Sequence, residues 1–145
     1  LEKKAPYDKL VNNEYNKTGL TVVLPHNGNM FKEKVVSGSY VYNGFGKSIG
    51  LVQIEELGTI ETPIVLTNTL NVGKVADGLI SYMLKDNPEI GVSTSTINSL
   101  VLECNDGSIN QIQNRCINEE DVINTIYESE DVMEGHVFPY LRSLV

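Results

Sequence analysis

A chain of 145 residues is one domain by length and buries roughly 70% of its unfolded surface. Its 41% hydrophobic and 21% charged content excludes a disordered chain, and a net charge of −8 disfavours nucleic acid as a partner. No apolar run approaches the ~20 residues of a membrane span, and the first residues are charged rather than signal-like, so a cytoplasmic protein with no membrane partner is expected. The basic residues Lys3, Lys4, Lys9 and Lys17 are interleaved with Glu2, Asp8 and Glu14, which reads as a solvated face. Cys104 and Cys116 are too few for a disulfide scaffold and read as reduced thiols.

Residues 1–17 are polar without a sustained period and read as loop. Leu20–Leu24 is a β-branched strand stopped by Pro25, and His26-Asn27-Gly28-Asn29 is a turn whose histidine sits on the surface. Val35–Tyr42 alternates as a strand, with Gly38 at a bulge, and Asn43–Gly46 makes a flexible turn. Leu51–Leu57 is read as a further strand, with Glu56 on the face of Val52 and Ile54. Pro63–Leu66 is a buried strand that delivers the polar cluster Thr67-Asn68-Thr69 to a helix.

That helix, Asn71–Asp86, places Val72, Val75, Ala76, Leu79, Ile80, Met83 and Leu84 on one face. Thr69 or Asn71 is expected to cap it, and Asn87-Pro88 to close it. Gly91–Ser99 is a hydroxyl-rich loop. Leu100–Cys104, the turn Asn105-Asp106-Gly107 and Ser108–Ile112 read as a hairpin. Asn118 caps a second amphipathic helix from Glu119 to about Glu128. The tail carries Pro139 and has no legible structure, the end 138–145 being as open as 1–17. Runs of strands with two helices give α+β in a single domain, 1–145.

Common catalytic motifs fail on context. Gly46-Lys47-Ser48 resembles the end of a phosphate-cradling loop, but Val41 stands where its first glycine belongs. Gly46-Lys47-Ser48-Ile49-Gly50 matches G-x-S-x-G, yet a strand rather than a helix is expected after Ser48. Two isolated histidines, with no HExxH or CxxC, do not make a zinc site.

Three blocks in order carry a resemblance. The first runs from Asn43-Gly44 with Gly46 and Gly50 through Ile54-Glu55-Glu56-Leu57-Gly58 to Pro63–Thr69 and Val72-Gly73. Glu103-Cys104-Asn105-Asp106-Gly107 with Ile109-Asn110 is the second, and Glu134-Gly135 the third. Together they resemble the L-aminopeptidase/D-esterase (DmpA-like) peptidase family from about Thr18 to Val137. The resemblance implies part of an αββα sandwich like that of N-terminal-nucleophile hydrolases. It also implies autoproteolysis of a precursor that frees a serine whose own α-amine can act as base. The substrate class implied is a peptide or an amino-acid amide or ester, with no cofactor and no metal. Asn110 matches an asparagine that stabilises the oxyanion, and Asn43, Asn68 and Thr69 fall in substrate-binding blocks.

The departures from the family pattern are specific. Lys47 stands where the loop usually continues with glutamate. His136 lies near the position of the family's nucleophilic serine, and the glycine-rich continuation is replaced by the tail. The resemblance therefore implies the first, larger-subunit part of a hydrolase, shortened at both ends. The nucleophile would come from a complementing second chain. The alternative is a non-catalytic member that forms a homo-oligomer or binds a small ligand.

Overall fold

The computed structural model describes residues 16–134 and 141–142. The expectations for residues 1–15, for Glu134-Gly135-His136 beyond Glu134, and for Pro139 lie outside the described residues. Among the described residues the main sheet has four strands: β1 (Leu20–Val23), β4 (Ile64–Thr67), β5 (Leu100–Glu103) and β6 (Leu141–Arg142). Their spatial order is β5-β4-β1-β6, with β4 parallel to β5 and β1 antiparallel to both β4 and β6. A two-stranded ribbon pairs β2 (Val35–Val36) with β3 (Thr59–Ile60). The helices are α1 (Leu51–Leu57), α2 (Val72–Asp86) and α3 (Glu119–Glu134).

Register explains why the helices lie on one face. Leu20, Val22, Val65 and Val101 point the same way in the paired strands and are fully buried under α2 and α3. Val75, Leu79, Val122 and Ile126 are the helical side of that core. The two helices approach closely at Gly78, where an added Cβ would stand 3.0 Å from the Val122 Cβ. Burying such a set supplies about 1.5–3 kcal/mol per large side chain, the main favourable term in a domain of this size.

The described residues cover the opposite face of the sheet only in part. Met30, Ile54, Ile60 and Leu100 form a smaller cluster there, with Leu51, Ile64 and Leu102 half-buried against it. Thr21, Val23 and Leu66, further along the same face, are half-exposed. One side of this sheet is therefore a finished core, and the other is a half-finished one.

Several elements differ from the sequence reading, each for a local reason. Leu51–Leu57 is a helix, not a strand. Gly50 enters it at φ 94 and Gly58 leaves it at φ 63, with the Gly58 N–H donating to the Ile54 carbonyl at 2.9 Å. Leu51 and Ile54, three apart, turn inward, while Val52, Glu56 and Leu57 face solvent, so Glu56 does not share a face with Ile54. Of Val35–Tyr42 only Val35–Val36 joins a ladder, and Gly38 forms no bulge.

The expected hairpin after β5 is also absent. β5 pairs in parallel with β4, and the chain beyond Asp106 turns into a 3₁₀ segment, Ile112–Asn114. Parallel pairing satisfies β5 without a returning strand. Before α2 there is a 3₁₀ turn, Thr69–Asn71, and its cap is Asn68, whose Oδ1 accepts from the Asn71 N–H at 3.2 Å. Neither Thr69 nor Asn71 caps by side chain. Asn118 does cap α3 as expected, trading hydrogen bonds with Asp121 in both directions, and the helix runs on to Glu134.

One buried carboxylate ties the layers together. Glu61 is 2% exposed; its Oε2 meets Lys34 Nζ at 2.7 Å, and its Oε1 accepts from the Asn98 N–H at 2.9 Å. Burial pushes the carboxyl up, but the bonds from Lys34 and Asn98 together outweigh it and hold the group below its ordinary 4.5. A depressed folded value means the contribution is fully present above the unfolded value and is lost as pH falls through the folded one. Acid unfolding monitored by circular dichroism should therefore begin at higher pH in Lys34→Met than in the parent chain. An unchanged acid limb would show that the pair does not stabilise the fold.

Candidate active site

The polar residues collect at one end of the main sheet. Because β1 is antiparallel to β4 and β5 is parallel to it, the start of β1 and the ends of β4 and β5 meet there. Lys17-Thr18, Asn68-Thr69, and Glu103 with Asp106–Asn110 are brought together from three separate stretches. The Cys104 N–H, donating to the Thr67 carbonyl at 2.7 Å, extends the ladder to the edge of this cluster.

Asn68 is almost fully buried and holds the first group. Its Nδ2 donates to Thr18 Oγ1 at 3.0 Å, and its Oδ1 accepts from both the backbone N–H and the Nδ2 of Asn71. The backbone donor fixes which atom of Asn68 is oxygen, and that in turn fixes Nδ2 of Asn71. The Asn71 Oδ1 is then a buried acceptor with no donor among the described residues, and so is Asp106 Oδ1. A buried amide or carboxylate oxygen left unpaired costs about 1–3 kcal/mol.

Glu103 is the second organising residue. Thr69 Oγ1 donates to its Oε1 at 2.6 Å, and the Lys47 backbone N–H donates to its Oε2 at 2.9 Å. Its own N–H donates to Ser48 Oγ at 3.3 Å. The loop Asn43–Ser48 is thereby fastened to the end of β5 and to the turn before α2. Asn43 itself is exposed, its Oδ1 accepting from the Phe45 N–H at 3.0 Å. The Lys47 ammonium lies 3.3 Å from the centre of the Phe45 ring and donates to the Phe45 carbonyl.

Asn110 crosses from the loop after β5 to the start of β1. Its Oδ1 accepts from the Lys17 N–H, and its Nδ2 donates to the Lys17 carbonyl at 3.0 Å and to Asp106 Oδ2 at 2.9 Å. The amide thus mimics a β-bridge to Lys17, leaving its second N–H on a rotatable carboxylate.

Three sequence-selected residues, Asn68, Thr69 and Asn110, belong to this end of the sheet, and Asn43 stands at its exposed rim. His136 lies outside the described residues. His26 is at the other end of β1, its Nδ1 accepting from the Gly28 N–H and its Nε2 bonded to the Glu33 carbonyl, both at 2.9 Å. Ser48 is in fact followed, after Ile49 and Gly50, by a helix, but among the described residues its Oγ has only the Glu103 N–H as a bonded neighbour. Desolvation of the sulfur, with Asp106 and Glu103 nearby, pushes the Cys104 thiol up and away from thiolate chemistry. No group of three His, Cys, Asp or Glu able to hold a metal occurs among the described residues. No helix among them is long and apolar enough to cross a membrane.

Glu103, Lys17 and Asp106 were not singled out as site residues from the sequence. A charged residue closing an apolar strand, directly before Asn-Asp-Gly, was the available signal for Glu103.

Residues 5–137 match the model of peptidase family S58. The chain belongs to that family. It is 30% identical over 123 residues to a beta-peptidyl aminopeptidase, BapA, of Sphingosinicella microcystinivorans, a match covering 83% of this chain and 30% of the relative. The PH0078 protein of Pyrococcus horikoshii OT3 superposes with a TM-score of 0.76 at 50% identity, covering 79% of this chain and 33% of that one. The L-aminopeptidase D-Ala-esterase/amidase of Ochrobactrum anthropi, described as a variant of the Ntn hydrolase fold, gives a TM-score of 0.60 at 22% identity over 78% of this chain and 38% of that one. The α+β arrangement of this S58 chain is thus of the Ntn-hydrolase type. The chain spans about a third of the length of the relatives it matches.

Proposed function

We propose that this S58 chain is the first part of a self-processing hydrolase that cleaves amides or esters by acyl transfer. The observation that carries this reading is Asn110, held at the polar end of the sheet with one N–H resting on the Asp106 side chain. Rotation of Asp106 frees that N–H while the Lys17 backbone still clamps the rest of the amide. The freed donor suits the oxyanion of a tetrahedral intermediate. The nucleophile is the N-terminal Ser or Thr of a further segment; its hydroxyl attacks the carbonyl carbon, and its own α-amine takes the proton. Thr69 and Asn68 line the substrate side, with Asn43 on the approach loop. The half-covered sheet face bearing Thr21, Val23 and Leu66 is where that segment packs, completing the second layer of a sandwich.

The names of the relatives suggest substrates with a free N-terminal residue, β-peptides among them. The test is to assay the chain alone, and together with whatever coding sequence follows Val145, against amino-acid p-nitroanilides and amides. Turnover is expected only with the further segment. Turnover by the 145-residue chain alone would place the nucleophile within it, and none in either preparation would favour the non-catalytic reading.

A further inference from the structure

Asp106 is only half satisfied. Its Oδ2 accepts from Asn110 Nδ2 at 2.9 Å, while its Oδ1 is buried and has no donor among the described residues. The other carboxylate of the cluster, Glu103, has both oxygens engaged, one by Thr69 Oγ1 and one by the Lys47 N–H. No Lys, Arg or His among the described residues is paired with Asp106. A buried carboxylate oxygen without donor or counter-ion is an acceptor held ready for a cation.

We propose that Asp106 is a specificity-determining residue: its Oδ1 receives the ammonium of a substrate's free N-terminus, and the rotation that brings it there releases the Asn110 N–H for the scissile carbonyl. This inference rests on the function proposed above and names what turns Asp106 away from Asn110.

The local geometry allows the exchange. The Asp106 carbonyl accepts from the Ile109 and Asn110 N–H groups, both at 3.0 Å, so the backbone is held while the carboxylate rotates about its side-chain bonds. Asn110 keeps its two bonds to the Lys17 backbone throughout, so its Nδ2 stays in place when Asp106 leaves. An aminoacyl group suits the pair it then meets. Its ammonium is a donor for Asp106, and its carbonyl oxygen, one or two carbons further on, is an acceptor for Asn110 Nδ2. An ammonium also gives the carboxylate a full opposite charge, which the amide N–H it gives up does not. An N-acylated substrate lacks that cation. It leaves Asp106 on Asn110, and the oxyanion donor stays masked. Preference for a free N-terminus is thereby exerted on the donor itself.

The experiment follows the Asn110 side-chain protons by NMR in the 145-residue chain, titrated with L-alaninamide and β-alaninamide. N-acetyl-L-alaninamide is the uncharged counterpart. Each free amine is expected to shift the Nδ2 proton that rests on Asp106, saturably, and to leave in place the one on the Lys17 carbonyl. The acetylated probe should give no saturable shift. Asp106→Asn keeps an acceptor for Asn110 but no charge for the ammonium, and should raise the apparent Kd by about tenfold or more. A parent chain that does not respond, an acetylated probe that acts like the free amines, or an Asp106→Asn chain that responds like the parent each overturns the proposal. Circular dichroism checks that the variant is folded, and the comparison of free with acetylated probe in the parent needs no variant at all. The titration also needs no turnover. An Asp106-dependent response in a chain that stays inactive with its further segment would remove the hydrolase reading and leave Asp106 an amine-binding residue.

Discussion

Replacing Gly50 by alanine is expected to destabilise this chain more than any other single methyl addition among its described glycines. Gly50 sits at φ 94, in the left-handed region, where an L-side chain costs about 1–2 kcal/mol. The new Cβ would stand 2.4 Å from the Ser99 carbonyl oxygen and 3.0 Å from the Leu100 Cα. Those atoms are backbone at the head of β5, held by the ladder to β4 and by the reciprocal Ile49–Val101 hydrogen bonds at 2.9 and 3.1 Å. Relief requires the strand to move, an overpacking cost of about 1–3 kcal/mol. The sum, roughly 2–5 kcal/mol, lowers the midpoint of thermal unfolding by roughly 6–16 °C at this chain length. Gly73→Ala is the control: nothing lies within 4 Å of its added Cβ, and the helix α2 gains propensity. Equal midpoints for the two variants would refute the close approach at Gly50.

Asn110→Ala should produce two separable losses. The first is structural, because the Lys17 N–H and carbonyl and Asp106 Oδ2 all lose a partner at once. Leaving such groups unpaired costs about 1–3 kcal/mol, readable in urea unfolding of the chain alone. The second loss is catalytic and applies to the assembled hydrolase under the function proposed above. Removing an oxyanion donor lowers kcat by about 10²–10³. The two are separated by measuring turnover well below the unfolding midpoint, where the folded fraction of the variant is complete. A fall in kcat no larger than the fall in folded protein would reduce Asn110 to a structural clamp.

The family assignment was legible because it rests on side-chain chemistry kept in order along the chain: Asn43-Gly44, Thr67-Asn68-Thr69, Asn105-Asp106-Gly107 with Asn110. The amphipathic helices were legible for a related reason. Val72 to Met83 repeats at helical spacing over three turns, and repetition averages out local ambiguity; Val122, Ile123 and Ile126 share a face within α3. Leu51–Leu57 shows the limit. Seven residues with apolar groups at Leu51, Val52, Ile54 and Leu57 satisfy either period, and the decision fell to two glycines whose positive φ no local pattern announces. Val35–Tyr42 shows another. Its strand composition is real, but pairing depends on a neighbour, and this fold supplies one only for Val35–Val36.

What the sequence determined by itself, then, is the class of fold, the helix faces and the family, all properties of residue order and periodicity. What only the tertiary structure decided is which distant residues meet. Glu103 acquires its place by binding Thr69 and the Lys47 backbone, and Asn110 acquires its orientation from Lys17, 93 residues away. Hydrogen bonds across such separations follow from strand order and register, set by the burial of Leu20, Val22, Val65 and Val101 on one face of the sheet.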